Sequence, residues 1–124
     1  MSRSGLLAAS IMVTAVLGAA QAQGNRGPNG GIIVTTQGHP IEFVYKDQDL
    51  RFYVGDDDGS PLSTEGMQGR AFVVDGGKVT TISLTPATPN LMTGQVPAPL
   101  GSKARVVFTA TLHGHTLTAR YVVD

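Results

Sequence analysis

The sequence predicts an all-β protein, an antiparallel β-sandwich of about eight short strands that follows a cleaved signal peptide. Three observations support this fold class. Segments rich in Val, Ile, Thr, Phe and Tyr recur along the chain, and these residue types favour strands. Turn residues separate the segments at close spacing, among 16 glycines and 7 prolines. After the N-terminal apolar run, no segment repeats its apolar residues at the helical period. A barrel is the alternative all-β topology.

The first 22 residues have the pattern of a secretory signal peptide. Arg3 supplies a positive charge, and an apolar run of about 15 residues follows over residues 6–20. Small residues up to Ala22 match an A-x-A cleavage site, so we expect cleavage after Ala22 and a protein in the periplasm or secreted. A membrane anchor is the alternative, but this run is shorter than the roughly 20 residues of a spanning helix. No membrane insertion is expected after cleavage.

Charge and composition exclude several functions. The chain has 9 basic and 9 acidic residues, and cleavage removes Arg3, so the mature protein has a net charge of about −1. No cluster of Lys and Arg predicts binding to nucleic acid. The chain has no cysteine, which excludes disulfides, thiolate metal ligands and a thiol nucleophile. The common catalytic motifs are also missing, so we expect a protein that is not an enzyme.

The mature chain divides into a lead and one domain. Residues 23–31 are rich in Gly and lack apolar periodicity, which predicts a flexible lead, and residues 32–124 are expected to form the β-sandwich domain. A first strand is predicted over residues 31–37. A two-residue loop at Asp47-Gln48 then predicts a hairpin, because it places apolar residues opposite one another on one face. The predicted pairs are Ile41 with Val54, Phe43 with Phe52 and Tyr45 with Leu50. The opposite face carries Glu42, Lys46 and Arg51, with Val44 and Tyr53.

The middle of the chain predicts four further strands. Residues 60–66 are expected to form a short edge strand, Gly76-Gly77 is expected to close a second hairpin, and residues 90–96 form a strand bounded by prolines. The acidic stretch from Asp56 resembles a calcium loop, but the twelfth position is Met67 rather than Glu. Turn carboxylates are therefore expected there. Met67 is predicted on an exposed loop, and Met92 in the core.

The last hairpin contains two of the chain's three histidines. A two-residue loop at His113-Gly114 keeps the apolar residues on one face, whereas a three-residue loop mixes the faces. His also tolerates the left-handed backbone conformation of such a turn better than most residues. The predicted pairs are Leu112 with His115, Ala110 with Leu117, Phe108 with Ala119 and Val106 with Tyr121. The pattern favours a plain turn, and a shared metal site is the alternative.

Several motifs resemble a known family. The segments GPNGGIIV and IEFVYKDQDLRFYVGDDDGSPL, with the Gly-Gly hairpin and the final apolar hairpin, are similar to small exported bacterial proteins. Those proteins in turn resemble the N-terminal segment of periplasmic adaptor subunits of heavy-metal efflux pumps. The family often has Gly-Pro-His-Gly-Gly and His-Val-Glu, whereas this chain has Asn29 in the first motif and carries His39 one place early in the second. The residues that match the family are Gly27, Pro28, Gly30, Gly31 and Glu42. The resemblance implies a role in metal handling.

These observations predict a small exported, non-enzymatic binding or accessory module of the bacterial envelope. The candidate metal ligands are His39, His113 and His115, and Cu or Zn is the candidate ion, because imidazole suits both. The alternative is a protein–protein interaction or structural domain without a metal role, with an envelope protein as partner. That alternative depends on Tyr45, Tyr53 and Tyr121, because exposed Tyr is enriched at interfaces.

Overall fold

The structure, a computed structural model, describes residues 25–124. The predicted signal peptide and the first two residues of the predicted lead lie outside this range. Residues 25–124 form eight strands, and they include no helix that is long and apolar enough to cross a membrane. The strands are β1 (Ile32–Thr36), β2 (His39–Lys46), β3 (Asp49–Val54), β4 (Gln68–Asp75), β5 (Lys78–Ala87), β6 (Leu91–Gln95), β7 (Arg105–Leu112) and β8 (His115–Val122).

The strands form a single sheet in the order β1-β2-β3-β6-β5-β4-β7-β8, and all their ladders are antiparallel. The sheet turns at β5, which pairs with β4 through Leu84 and with β6 from Thr85 onward. This turn packs β1-β2-β3-β6 against β4-β7-β8 and brings β1 beside β8, so the sheet is nearly closed. The predicted all-β antiparallel fold of about eight strands is confirmed, and its two layers are the two halves of one sheet.

Three hairpins have the two-residue turns that the sequence predicts, and in two of them the register is the one that the apolar pattern predicts. Phe43 pairs with Phe52 across β2 and β3, and Phe108 pairs with Ala119 across β7 and β8. Gly76-Gly77 closes the β4–β5 hairpin. Both residues of each turn have a positive φ, as two-residue turns that match the strand twist require. A fourth hairpin, not predicted, joins β1 to β2 through Gln37-Gly38.

An aromatic cluster occupies the centre of the core. The ring centroid of Phe52 lies 5.0 Å from that of Phe43 on the neighbouring strand and 4.7 Å from that of Phe108 in the opposite layer. Tyr121 completes the cluster, with its ring centroid 5.1 Å from that of Phe43. All four side chains are buried. Since the chain has no disulfides, burial of such large apolar side chains, worth roughly 1.5–3 kcal/mol each, is the main stabilising contribution.

The prediction of a strand over residues 60–66 is wrong. In this segment only Pro61 makes a β-type contact, an isolated bridge to Gly55. Proline has no N–H to extend such a bridge into a ladder. The buried Thr64 donates its hydroxyl to backbone oxygens of Ala87 and Leu91. The prediction that Met67 is exposed is also wrong, because the loop folds inward and leaves this side chain only 5% exposed.

The segment before β1 wraps around the carboxyl group of Glu42. That carboxylate accepts hydrogen bonds from the backbone N–H of Gly31 (2.8 Å) and from the backbone and side chain of Asn29 (2.9 Å each). Glu42 is consequently only 4% exposed, although it lies on the face of β2 opposite the predicted apolar face. A side chain at Gly27 would collide with the Glu42 carboxyl group, and one at Gly31 with the backbone of Phe43. The prediction of a flexible lead over residues 23–31 did not foresee this packing.

Candidate metal centre

The three predicted histidines lie at one end of the sheet. His39 begins β2, while His113 and His115 lie at the tip and the return of the β7–β8 hairpin. The near closure of the sheet places β1 beside β8. The β1–β2 hairpin therefore lies next to the β7–β8 hairpin. The side-chain amide of Gln37 donates a hydrogen bond to the backbone oxygen of Thr116 at 2.9 Å and links the two hairpins.

All three histidines line the same pocket, which has a volume of about 340 Å³. Asp56, at the end of β3, lines it as well. The remaining wall consists of three leucines and Gln37. The pocket residues are Gln37, His39, Asp56, Leu62, Leu112, His113, His115 and Leu117. Residues that lie far apart in the chain thus line one pocket, three histidines and one aspartate among them.

The ring of His39 is oriented by the backbone. Its Nδ1 lies 3.0 Å from the backbone oxygen of Gly55. A carbonyl oxygen can only accept a hydrogen bond, so Nδ1 carries the proton and Nε2 keeps its lone pair. Metal-binding histidines are commonly held in this way, with one ring nitrogen donating to a backbone carbonyl and the other facing the metal. His39 is half-buried, which limits its movement.

The other two histidines are exposed. His113 has a φ of 48° and Gly114 a φ of 79°, so the turn between the strands is tight. In residues 25–124, the only group of three or more His, Asp or Glu residues whose ligand atoms lie within 4.8 Å of one another is Asp56, Asp57 and Asp58. The three histidines therefore line one pocket without forming a closed metal shell, and movement of the exposed rings is needed to complete one.

The three aspartates form an exposed turn beside the pocket. The backbone N–H of Asp56 donates to the oxygen of Ser60 at 2.7 Å, and that of Gly59 donates to the oxygen of Asp56 at 2.8 Å. The Oδ1 atom of Asp58 accepts hydrogen bonds from the hydroxyl (2.6 Å) and the N–H of Ser60 (2.9 Å). The bond from the hydroxyl is the main cause that lowers the pKa of Asp58 below its usual value. Asp57 and Asp58 do not line the pocket.

Asp56 was not among the predicted ligands. In the sequence it belongs to a stretch that resembles a calcium loop, and its distance from the histidines along the chain gives no other signal. Its neighbour Gly55 approaches the start of β2, where its N–H donates to the backbone oxygen of Pro40 at 2.8 Å. A Cβ at Gly55 would lie 2.9 Å from a ring carbon of Pro40, so this close approach favours glycine.

The three tyrosines do not form a common exposed surface. Tyr121 is buried in the core. Tyr45 is half-buried, and its hydroxyl oxygen accepts a hydrogen bond from the N–H of Leu100 at 2.8 Å. Tyr53 lines a separate cleft of about 410 Å³ together with several prolines and Glu42. Tyr53 is thus the one predicted interface tyrosine that lines a sizeable cleft.

Comparisons with protein-family models, with curated proteins and with solved structures found no match. The similarity to the N-terminal segments of efflux-pump adaptors therefore depends on the sequence motifs quoted above.

Proposed function

We propose that this protein is a small exported, non-enzymatic binding module of the bacterial envelope that handles a heavy-metal ion, Cu or Zn. The observation that carries the proposal is the single pocket lined by His39, His113 and His115. These are all the histidines of the chain, and the sequence offers no cysteine as an alternative soft ligand. Their meeting at one pocket, from two distant hairpins, is what a shared site requires.

The chemistry of the pocket supports reversible metal binding. Neutral imidazole is a good ligand for both Zn and Cu. His39 offers a preoriented Nε2, while His113 in the turn and His115 at the start of β8 are both exposed. Structural zinc sites are closed, with four protein ligands. An open pocket with two exposed ligands suits an ion that is taken up and released.

The proposed location follows from the N-terminus. The predicted signal peptide, residues 1–22, directs the chain to the periplasm or to the exterior. In that location a small domain could carry a metal ion between envelope proteins, which agrees with the resemblance to efflux-pump adaptors. Its partner on this proposal is an envelope protein rather than nucleic acid or the membrane.

Native mass spectrometry of the cleaved chain, titrated with Cu(I), Cu²⁺, Zn²⁺ and Ni²⁺, tests the proposal. We expect one ion per chain for Cu or Zn, and loss of that ion in the double variant His113→Ala, His115→Ala. The control is Asp47→Ala, which changes an exposed residue in the turn of the β2–β3 hairpin. Absence of stoichiometric binding, or equal binding by the double variant, would contradict a metal role.

The second candidate function is protein–protein interaction without a metal role. The cleft beside Tyr53 supports it, because Pro28, Pro40 and Pro61 form apolar walls around that side chain. A photo-crosslinking residue at position 53 would be expected to capture one envelope protein in cells. The same residue at position 79, on the exposed side of β5, serves as the control. Equal crosslinking from both positions would count against the cleft.

A further inference from the structure

We infer that Asp56 is the fourth ligand of the histidine pocket, which makes the site a three-nitrogen, one-oxygen shell for Zn²⁺ or Cu²⁺ rather than for Cu(I). This inference rests on the proposed function and specifies which ion the site takes. A carboxylate oxygen is a hard ligand, and imidazole is of intermediate softness, so the set suits divalent ions. Cu(I) prefers soft thiolate and thioether ligands.

The first argument is the linkage between Asp56 and His39. Gly55 directly precedes Asp56, and its backbone oxygen accepts the hydrogen bond from Nδ1 of His39. Its N–H donates to Pro40, the residue after His39. One short stretch of backbone therefore orients the His39 ring and leads directly into Asp56, which lines the same pocket. On this inference the two residues are the preorganised half of the site.

The second argument is the hydrogen bonding and burial of the Asp56 carboxylate. Its Oδ1 atom accepts a hydrogen bond from the N–H of Asp57 at 2.8 Å, which restrains the side chain. In the described part of the chain no group donates to its other oxygen, Oδ2. Asp56 is half-buried, whereas Asp57 and Asp58 are exposed. Asp56 therefore has one restrained oxygen and one that accepts no hydrogen bond within residues 25–124, and the residue lines the pocket.

The third argument is the contrast between the two sides of the pocket. His113 lies in the two-residue turn, His115 begins β8, and both are exposed, so their rings are free to rotate towards an ion held by the other half. Binding would join the β7–β8 hairpin to the loop after β3.

The test compares two charge-neutralising variants by competition with chromophoric chelators. Asp56→Asn keeps an acceptor for the Asp57 N–H but removes the charged ligand oxygen. Asp57→Asn removes the same charge from the adjacent residue, which does not line the pocket. We expect Asp56→Asn to weaken Zn²⁺ binding by at least about tenfold, since the loss of residues that merely orient ligands already costs about 10–100-fold. Asp57→Asn should bind Zn²⁺ like the wild type, and neither variant should change the affinity for Cu(I).

The outcomes separate the two proposals. Equal weakening by both variants would mean that only net charge matters, and the ligand role of Asp56 would be lost. Zn²⁺ binding that is unchanged in Asp56→Asn but lost in His113→Ala, His115→Ala would leave the metal function standing and overturn the role of Asp56. No binding of any ion by the wild type would overturn both.

A spectroscopic measurement on the wild type needs no variant and so does not depend on how the variants fold. The electron paramagnetic resonance spectrum of the Cu²⁺ protein reports the number of nitrogen donors through their hyperfine coupling. We expect three nitrogens and one oxygen. A spectrum with four nitrogens, or with two or fewer, would contradict the proposed shell.

Discussion

The hydroxyl group of Tyr121 on β8 donates a hydrogen bond to the backbone oxygen of Ile41 on β2, at a distance of 2.7 Å. The two strands belong to opposite layers of the folded sheet. Both residues are buried, and burial raises the pKa of Tyr121 well above its usual value. This bond therefore joins the layers only while the phenol keeps its proton.

Alkaline pH should destabilise the protein through Tyr121. A tyrosine in the unfolded chain ionises near its usual pKa of about 10, whereas folded Tyr121 keeps its proton to higher pH. Its contribution is fully present below about pH 10 and is lost as the pH rises towards the folded pKa. Urea unfolding at pH 7 and at about pH 11 should show that the free energy of unfolding falls more in the wild type than in Tyr121→Phe. Tyr53→Phe, the control, should lose stability like the wild type, and identical losses in all three proteins would contradict this role.

Phe108→Ala should lower the free energy of unfolding by about 3–5 kcal/mol, because it leaves a cavity in the aromatic cluster. Phe108 is fully buried against Phe52. Phe72→Ala on the neighbouring strand β4 is the matched control, because that side chain is only half-buried. Urea denaturation measures both. A loss below about 1 kcal/mol for Phe108→Ala would mean that this ring is not part of the core.

Glu42→Ala should release the segment around Gly31. The substitution removes the acceptor of three hydrogen bonds and leaves the buried N–H of Gly31 without a partner. Bonds to charged groups contribute about 1.5–3 kcal/mol, so we expect a loss of at least about 2 kcal/mol. Hydrogen exchange of the Gly31 amide should also become faster. Glu65→Ala, at an exposed position, should change neither quantity, and an unchanged exchange rate in Glu42→Ala would contradict the proposed attachment.

His113→Asn should distinguish the role of His113 in the turn from its role as a metal ligand. Asn-Gly is a preferred pair for this turn, so the metal-free variant should be within about 0.5 kcal/mol of the wild type or more stable. Its affinity for Zn²⁺ or Cu²⁺ should fall, because an imidazole is lost. Thermal unfolding in the presence of a chelator measures the stability of the metal-free variant. A metal titration measures its affinity for the ion. A marked loss of stability without metal would indicate that His113 serves the fold instead.

Metal binding should stabilise the folded chain. An ion that binds only the folded state at about 100 times its dissociation constant adds about 2.7 kcal/mol to the free energy of unfolding. We expect this gain with Zn²⁺ in the wild type, its reversal by a chelator, and its absence in His113→Ala, His115→Ala. The same gain in the double variant would place the ion elsewhere.

Sequence patterns predicted the structure correctly where the relevant contacts are local, as in the hairpin turns. The turns at Asp47-Gln48 and His113-Gly114 were predictable, because alternation of apolar residues allows only one register within a hairpin. The turn at Gly76-Gly77 was predictable because glycine readily adopts the positive φ that a tight turn needs. The burial of Glu42 and Met67 was not predictable in this way. Alternation assigns a residue to a face of its own strand, but it does not show which distant loop will cover that face.

What the sequence determined by itself was therefore the fold class, the hairpin registers and the three histidines as candidate ligands. Only the tertiary structure decided that His39 meets the final hairpin and that Asp56 joins them at one pocket. The physical reason is the turn of the sheet at β5, which places β1 beside β8. That closure depends on the packing of two layers around the aromatic cluster, and it brings together residues that no local pattern connects.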